Sequence, residues 1–114
     1  MVKTNLKQLN NKGMQKKTFN DIKFGPHPVG TGILGTININ GLTLSVIAGK
    51  GFYSTSKGDV DPFFQTADDY STFEIAVMDQ DGTYITDKFF DDDHDNGVRG
   101  WLSRDDINHL ISKL

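Results

Sequence analysis

Apolar and polar residues alternate most cleanly over 42–48, where Leu42, Leu44, Val46 and Ala48 fall on one side and Thr43 and Ser45 on the other. A period of two marks a strand with one wet face. The β-branched run Ile33-Leu34-Gly35-Thr36-Ile37-Asn38-Ile39 precedes it, with Asn40-Gly41 between. Both turn residues tolerate the positive φ that a two-residue hairpin demands, so the pattern predicts a β-hairpin over 33–48. A second alternation puts Phe73, Ile75 and Val77 on one face of 71–78. Asp79-Gln80-Asp81-Gly82 reads as the next turn, and Thr83 to Phe89 is expected to return as its partner strand. Residues 49–70 are too long for a structureless connection, so a short strand is expected around Phe52 and Tyr53.

The period changes from two to 3.6 near the end of the chain. Ile107, Leu110, Ile111 and Leu114 form a helical stripe. Ser103 stands at the N-cap with Asp106 three residues on, close to a capping box, and Leu102 and Ile107 occupy the hydrophobic-staple positions. Asp105 and Asp106 suit the positive end of the helix dipole. The fold class is therefore α+β: a small antiparallel sheet of two β-hairpins plus a short strand, packed against a C-terminal amphipathic helix. Phe19, Ile22 and Phe24 open the globular part, and Gly25-Pro26-His27-Pro28 forces an extended backbone after them. Residues 19–114 read as a single domain. Residues 1–18, rich in Lys, Asn and Gln, read as a basic flexible tail or a loosely docked helix.

Composition narrows the chemistry. A chain of 114 residues with eight Phe, three Tyr and one Trp can bury one modest aromatic core. There is no cysteine, so thiolate zinc sites, thiol nucleophiles and disulfides are excluded. No apolar run approaches a membrane span, and the N-terminal residues lack the apolar stretch of a secretory signal. An intracellular setting is expected. The net charge of −3 conceals a split: residues 1–57 carry eight Lys against one Asp, a net +7, and residues 58–114 a net −10. Either the halves interleave and the charges mix, or the split marks an interaction surface.

Motifs with specific chemistry are few. Gly30-Thr31-Gly32-Ile33-Leu34-Gly35 matches the dinucleotide fingerprint letter by letter, but a hairpin follows where a helix is required. No cofactor is expected. The run Asp91-Asp92-Asp93-His94-Asp95-Asn96-Gly97 offers oxygen ligands, with Asp91, Asp93 and Asp95 as weak metal candidates beside His94. The calcium-loop pattern fails there, because Ser103 stands where the bidentate Glu belongs. A solvated acidic loop is the plainer reading. His27, His94 and His109 have no spacing that links them to a nucleophile. Nucleic-acid binding by the basic half lacks a motif and any arginine before Arg99. Two sets of residues remain as partner contacts: the loop aromatics Phe52, Tyr53, Phe63 and Phe64, and the acidic residues Asp91, Asp92, Asp93 and Asp95.

Gly25-Pro26-His27-Pro28-Val29-Gly30-Thr31-Gly32, Asn40-Gly41 with Ser45-Val46, Phe73-Glu74-Ile75-Ala76-Val77, and Gly100-Trp101-Leu102 occur in an order that resembles a family of small bacteriophage- and prophage-encoded proteins of unknown function. The resemblance covers about residues 22–114. It implies a phage or prophage protein in the bacterial host cytoplasm and carries over no catalytic residue. The Lys-rich tail and the Asp91–Asp95 run depart from it. The expected function is that of a non-enzymatic accessory protein that binds a host or phage protein. The alternatives are an acidic anti-defence inhibitor of a nucleic-acid-processing host factor, and a metal-dependent enzyme using the Asp91–Asp95 loop.

Overall fold

The computed structural model describes residues 16–29, 31–61, 65–91 and 97–114. Strands β1 (Lys23–Pro26), β2 (Ile33–Ile39), β3 (Leu42–Ala48), β4 (Thr55–Ser56), β5 (Tyr70–Met78) and β6 (Arg99–Leu102) form one antiparallel sheet, followed by helix α1 (Arg104–Lys113). The order is β1-β2-β3-β5-β4, with β6 also paired to β5. The α+β class read from the chain is the one observed.

The expected hairpin is present. Ile39 pairs with Leu42, and Asn40 and Gly41 both take positive φ, 51° and 84°. That backbone matches the twist of the flanking strands. Register then lines up the apolar set in rows: Ile37, Leu44 and Val77 in one, and Gly35, Val46 and Ile75 in the next. Gly35 is needed there because a Cβ would lie 2.5 Å from Ile22 Cγ2. The space lets Ile22 and Phe24 fold over the row.

Helix α1 lies against this surface through buried Ile107, Leu110 and Ile111. Its capping box is complete: Ser103 Oγ accepts from Asp106 N, and Asp106 Oδ2 accepts from Ser103 N. Phe73, fully buried, is the aromatic hub. Its ring centroid lies 5.0 Å from Phe19, 6.1 Å from Phe24 and 6.4 Å from Tyr70. Arg104 closes that cluster, its guanidinium 5.0 Å from the Phe19 ring and 5.3 Å from the Phe73 ring. It also donates to the carbonyls of Tyr70 (3.0 Å) and Ala67 (2.7 Å). The chain is fastened to the helix as early as Phe19, whose N–H donates to Asn108 Oδ1 at 2.7 Å.

Two expectations need correction. The second hairpin is truncated: past Met78 only one bridge, to Tyr84, continues it, and Thr86–Phe89 is a 3-10 turn. The cause is local. Asp79 Oδ1 accepts from the N–H groups of Asp81 and Thr83, which tightens the turn. Thr86 then puts its hydroxyl where a ladder backbone would lie, accepting from Val77 N and donating to Gly97 O. The edge of β5 is taken instead by β6, which the periodicity did not reveal. The short strand lies at Thr55–Ser56 rather than at Phe52–Tyr53. The extended backbone expected from Gly25 onward does begin inside β1, an edge strand where a proline is tolerated.

Thr86 is a point of test because it is wholly buried. Thr86→Val keeps the shape but leaves Val77 N–H and Gly97 C=O short of a partner. A loss of about 1–3 kcal/mol is expected, read as a lower urea midpoint with unchanged slope.

Candidate functional site

The most exposed aromatic groups of the described residues do not belong to the core. Trp101 is 60% exposed, Tyr84 57% and Tyr53 48%. Trp101 and Tyr53 touch, their ring centroids 5.0 Å apart at 32°.

Their contact is built from the backbone. Between the pairs Phe73–Leu102 and Ile75–Arg99 the register shifts, so Gly100 and Trp101 together oppose Glu74. This is a β-bulge, a device that re-aims side chains. Trp101 takes φ +58°, a left-handed conformation that costs a bulky residue about 1–2 kcal/mol. Two bonds hold the bulge: Glu74 Oε1 accepts from Tyr53 N at 3.0 Å, and Tyr53 O accepts from Trp101 N at 2.9 Å. The 49–54 loop behind it is closed by Ser54 Oγ, which accepts from Gly49 N at 3.1 Å and donates to Gly49 O at 3.2 Å. Gly100 permits the approach, since a Cβ there would fall on Tyr53 Cβ.

Beside Trp101 runs a half-open groove of about 490 Å³ between β6, the segment after the 3-10 turn, and α1. Phe90, Trp101 and Leu110 give it an apolar floor; Asp91 and Asp106 line it, and Lys113 stands at the C-terminal end of α1. Arg99 also borders it but is turned inward. Its Nη1 meets Asp87 Oδ1 at 2.6 Å, and its guanidinium lies 4.7 Å from the Phe90 ring centroid.

The consecutive aromatics singled out in the sequence part company. Phe52 is half-buried and lies 4.8 Å from the His27 ring, beside the close approach of Gly32 and Gly49. Tyr53 faces outward to Trp101. Asp91 is exposed on the groove. Phe63, Phe64, Asp92, Asp93, His94 and Asp95 lie outside the described residues. Among the described residues no three His, Asp or Glu side chains converge as a metal site. Ile33–Ile39 is a strand, so the glycine fingerprint has no helix behind it. His109 is exposed on α1 and borders the groove. Residue spacing does not reveal Trp101 as a contact, because a bulge leaves no trace in it. The signal the sequence does carry is a sole tryptophan two residues before a helix cap.

A second concavity, about 430 Å³, lies at the other end of the 49–54 loop and includes Lys50, Ser54, Ser56, Gln65 and Tyr70. Tyr70 is buried, and its hydroxyl donates to Gln65 Oε1 at 2.6 Å. Burial, and then the nearby Asp69 charge, push its pKa above 10.0. The native state therefore keeps a proton that the unfolded chain releases at about pH 10. Stability associated with this group is intact below that pH and is lost as pH rises through the raised native value. In urea titrations between about pH 9 and about pH 11, Tyr70→Phe is expected to show a shallower alkaline decline than the parent.

Among the described residues, no helix is long and apolar enough to cross a membrane. Comparison of the chain with known protein families, curated proteins and solved structures found no match.

Proposed function

We propose that this chain is a non-enzymatic binding protein whose contact surface centres on Trp101 and Tyr53. The observation that carries the reading is an exposed tryptophan held in a left-handed backbone by a bulge, a glycine and two hydrogen bonds through Tyr53. Strain of this kind persists only where surrounding structure enforces it, and it gathers at functional sites. Aromatic side chains dominate the energetics of protein contacts. The phage or prophage setting, in a bacterial cytoplasm, follows from the resemblance carried by the fragments between Gly25 and Leu102. A host or another phage protein is the partner that fits it.

The test separates fold from contact with Trp101→Gly. Glycine relieves the left-handed strain, about 1–2 kcal/mol. It forfeits the ring contact with Tyr53, about 0.5–1.5 kcal/mol. The two terms nearly offset, so unfolding free energy is expected to stay within about 1 kcal/mol of the parent. Capture of partners from bacterial lysate is then compared for the two proteins across salt. The parent is expected to retain its partner and the variant to lose it. Equal retention by both would sink the reading. Loss from the parent at moderate salt alone, indifferent to position 101, would favour the acidic-inhibitor reading, since screening weakens exposed charge pairs.

Metal-dependent chemistry at Asp91 would draw on Asp93, His94 and Asp95, which lie outside the described residues. Calorimetry with calcium, magnesium and manganese tests it directly, and an absence of heat at millimolar metal removes it.

A further inference from the structure

The charge split acquires a spatial meaning in the fold. Residues 1–57 supply β1, β2 and β3, which are neighbours, while residues 58–114 supply β5, β6 and α1. The segment bearing Tyr53 and β4 crosses to pair with β5, and Phe19 packs against α1. The second half holds fourteen acidic groups and four cations, namely Lys88, Arg99, Arg104 and Lys113. Two of the four are engaged by groups of the chain itself. Arg99 is buried against Asp87 and Phe90, and Arg104, partly exposed, lies over Phe19 and Phe73 with its donors on two carbonyls and on Asp68 Oδ1. These are the only arginines of the chain. With both guanidiniums engaged in this way, the outer surface of this half carries an excess of carboxylates.

We propose that the groove beside Trp101 takes an arginine-bearing segment of a protein partner, with the guanidinium stacked on Trp101 and its donors directed to the carboxylates that line the groove. This rests on the binding reading above and names the chemistry of what is bound. Three features of the groove agree. Its floor of Phe90, Trp101 and Leu110 accepts the aliphatic stem. The exposed indole face is the strongest side-chain partner for a planar cation. Asp91 and Asp106 stand on the lining. Lys113 is seven residues past Asp106, so about 10 Å along the helix, which places the cation at the Trp101 end. Arginine is favoured over lysine because its plane can stack and its fork can meet carboxylates in pairs.

Titration of the full chain with labelled glycine–arginine repeat octapeptides tests this, beside matched lysine and glutamate peptides. Trp101, the sole tryptophan, reports its own environment by fluorescence, and peptide anisotropy reports binding to the variants. The arginine peptide is expected to shift the Trp101 emission and to bind at least about 5-fold more tightly than the lysine peptide. Asp91→Asn is expected to weaken it about 3-fold or more. Trp101→Gly, which keeps the fold, is expected to abolish the preference for arginine. No binding at about millimolar peptide, equal affinity for lysine, or an unchanged preference in Trp101→Gly each overturns the inference. A lysate partner that still depends on Trp101 while the arginine peptide fails removes this inference alone. Failure of that dependence removes the binding reading itself.

Discussion

Phe73→Ala is expected to cost about 3–5 kcal/mol, a third or more of what holds a domain of this size together. Phe73 has no exposed surface and its ring touches Phe19, Phe24 and Tyr70. Truncation loses the transfer free energy of the ring and leaves a cavity that β5, pinned between β3 and β6, cannot close. It also strips one aromatic face from Arg104, whose guanidinium lies between Phe19 and Phe73 and ties α1 to the start of β5. The effect should appear as a fall of the urea midpoint by more than about 1 M. Phe73→Leu, which refills part of the volume, should recover a good share of it. A loss below about 1 kcal/mol for the alanine variant would mean that the ring is not the hub of the core.

Gly100→Ala carries the second large effect, and it joins stability to the contact surface. The added methyl would fall on Tyr53 Cβ, with Tyr53 Cγ at 3.1 Å and Tyr53 O at 3.2 Å. These atoms cannot swing aside as the end of a long side chain could. Moving them breaks the bond from Trp101 N to Tyr53 O and loosens that from Tyr53 N to Glu74. Overpacking costs about 1–3 kcal/mol, and two weakened hydrogen bonds add about 1 kcal/mol or more. The Trp101 emission should move to longer wavelength as the indole loses Tyr53. Gly25→Ala is the control, because nothing lies within 4 Å of a Cβ there. It is expected to change stability by no more than about 0.5 kcal/mol. Similar losses for both substitutions would show that the Tyr53–Gly100 packing does not set the geometry of the site.

Much of the fold was legible where a local rule and the burial pattern agreed. Asn40-Gly41 with its alternating flanks produced the β2–β3 hairpin at the expected register. Ser103 and Asp106 produced the capping box, and the stripe of Ile107, Leu110 and Ile111 is the buried face of α1. The second hairpin shows the limit. Its turn residues behave as turn residues should, yet Thr86 withdraws the return strand by a side-chain bond to a backbone eleven residues ahead. Nothing in the spacing of 83–89 carries that information. The same holds for the neighbours Phe52 and Tyr53. Composition makes both contact candidates, but only the closed 49–54 loop decides that one turns toward His27 and the other toward Trp101.

By itself the sequence determined the class of fold, the central hairpin, the capped helix and the uneven charge. Each depends on residues close together in the chain, through backbone preference, periodicity or simple count. Only the tertiary structure decided which strand occupies the far edge of β5, that a bulge opposite Glu74 aims Trp101 outward, and that Arg99 is buried against Asp87. Those outcomes depend on register and on contacts between residues 12 to 48 positions apart in sequence, where sterics and hydrogen-bond satisfaction override any local pattern.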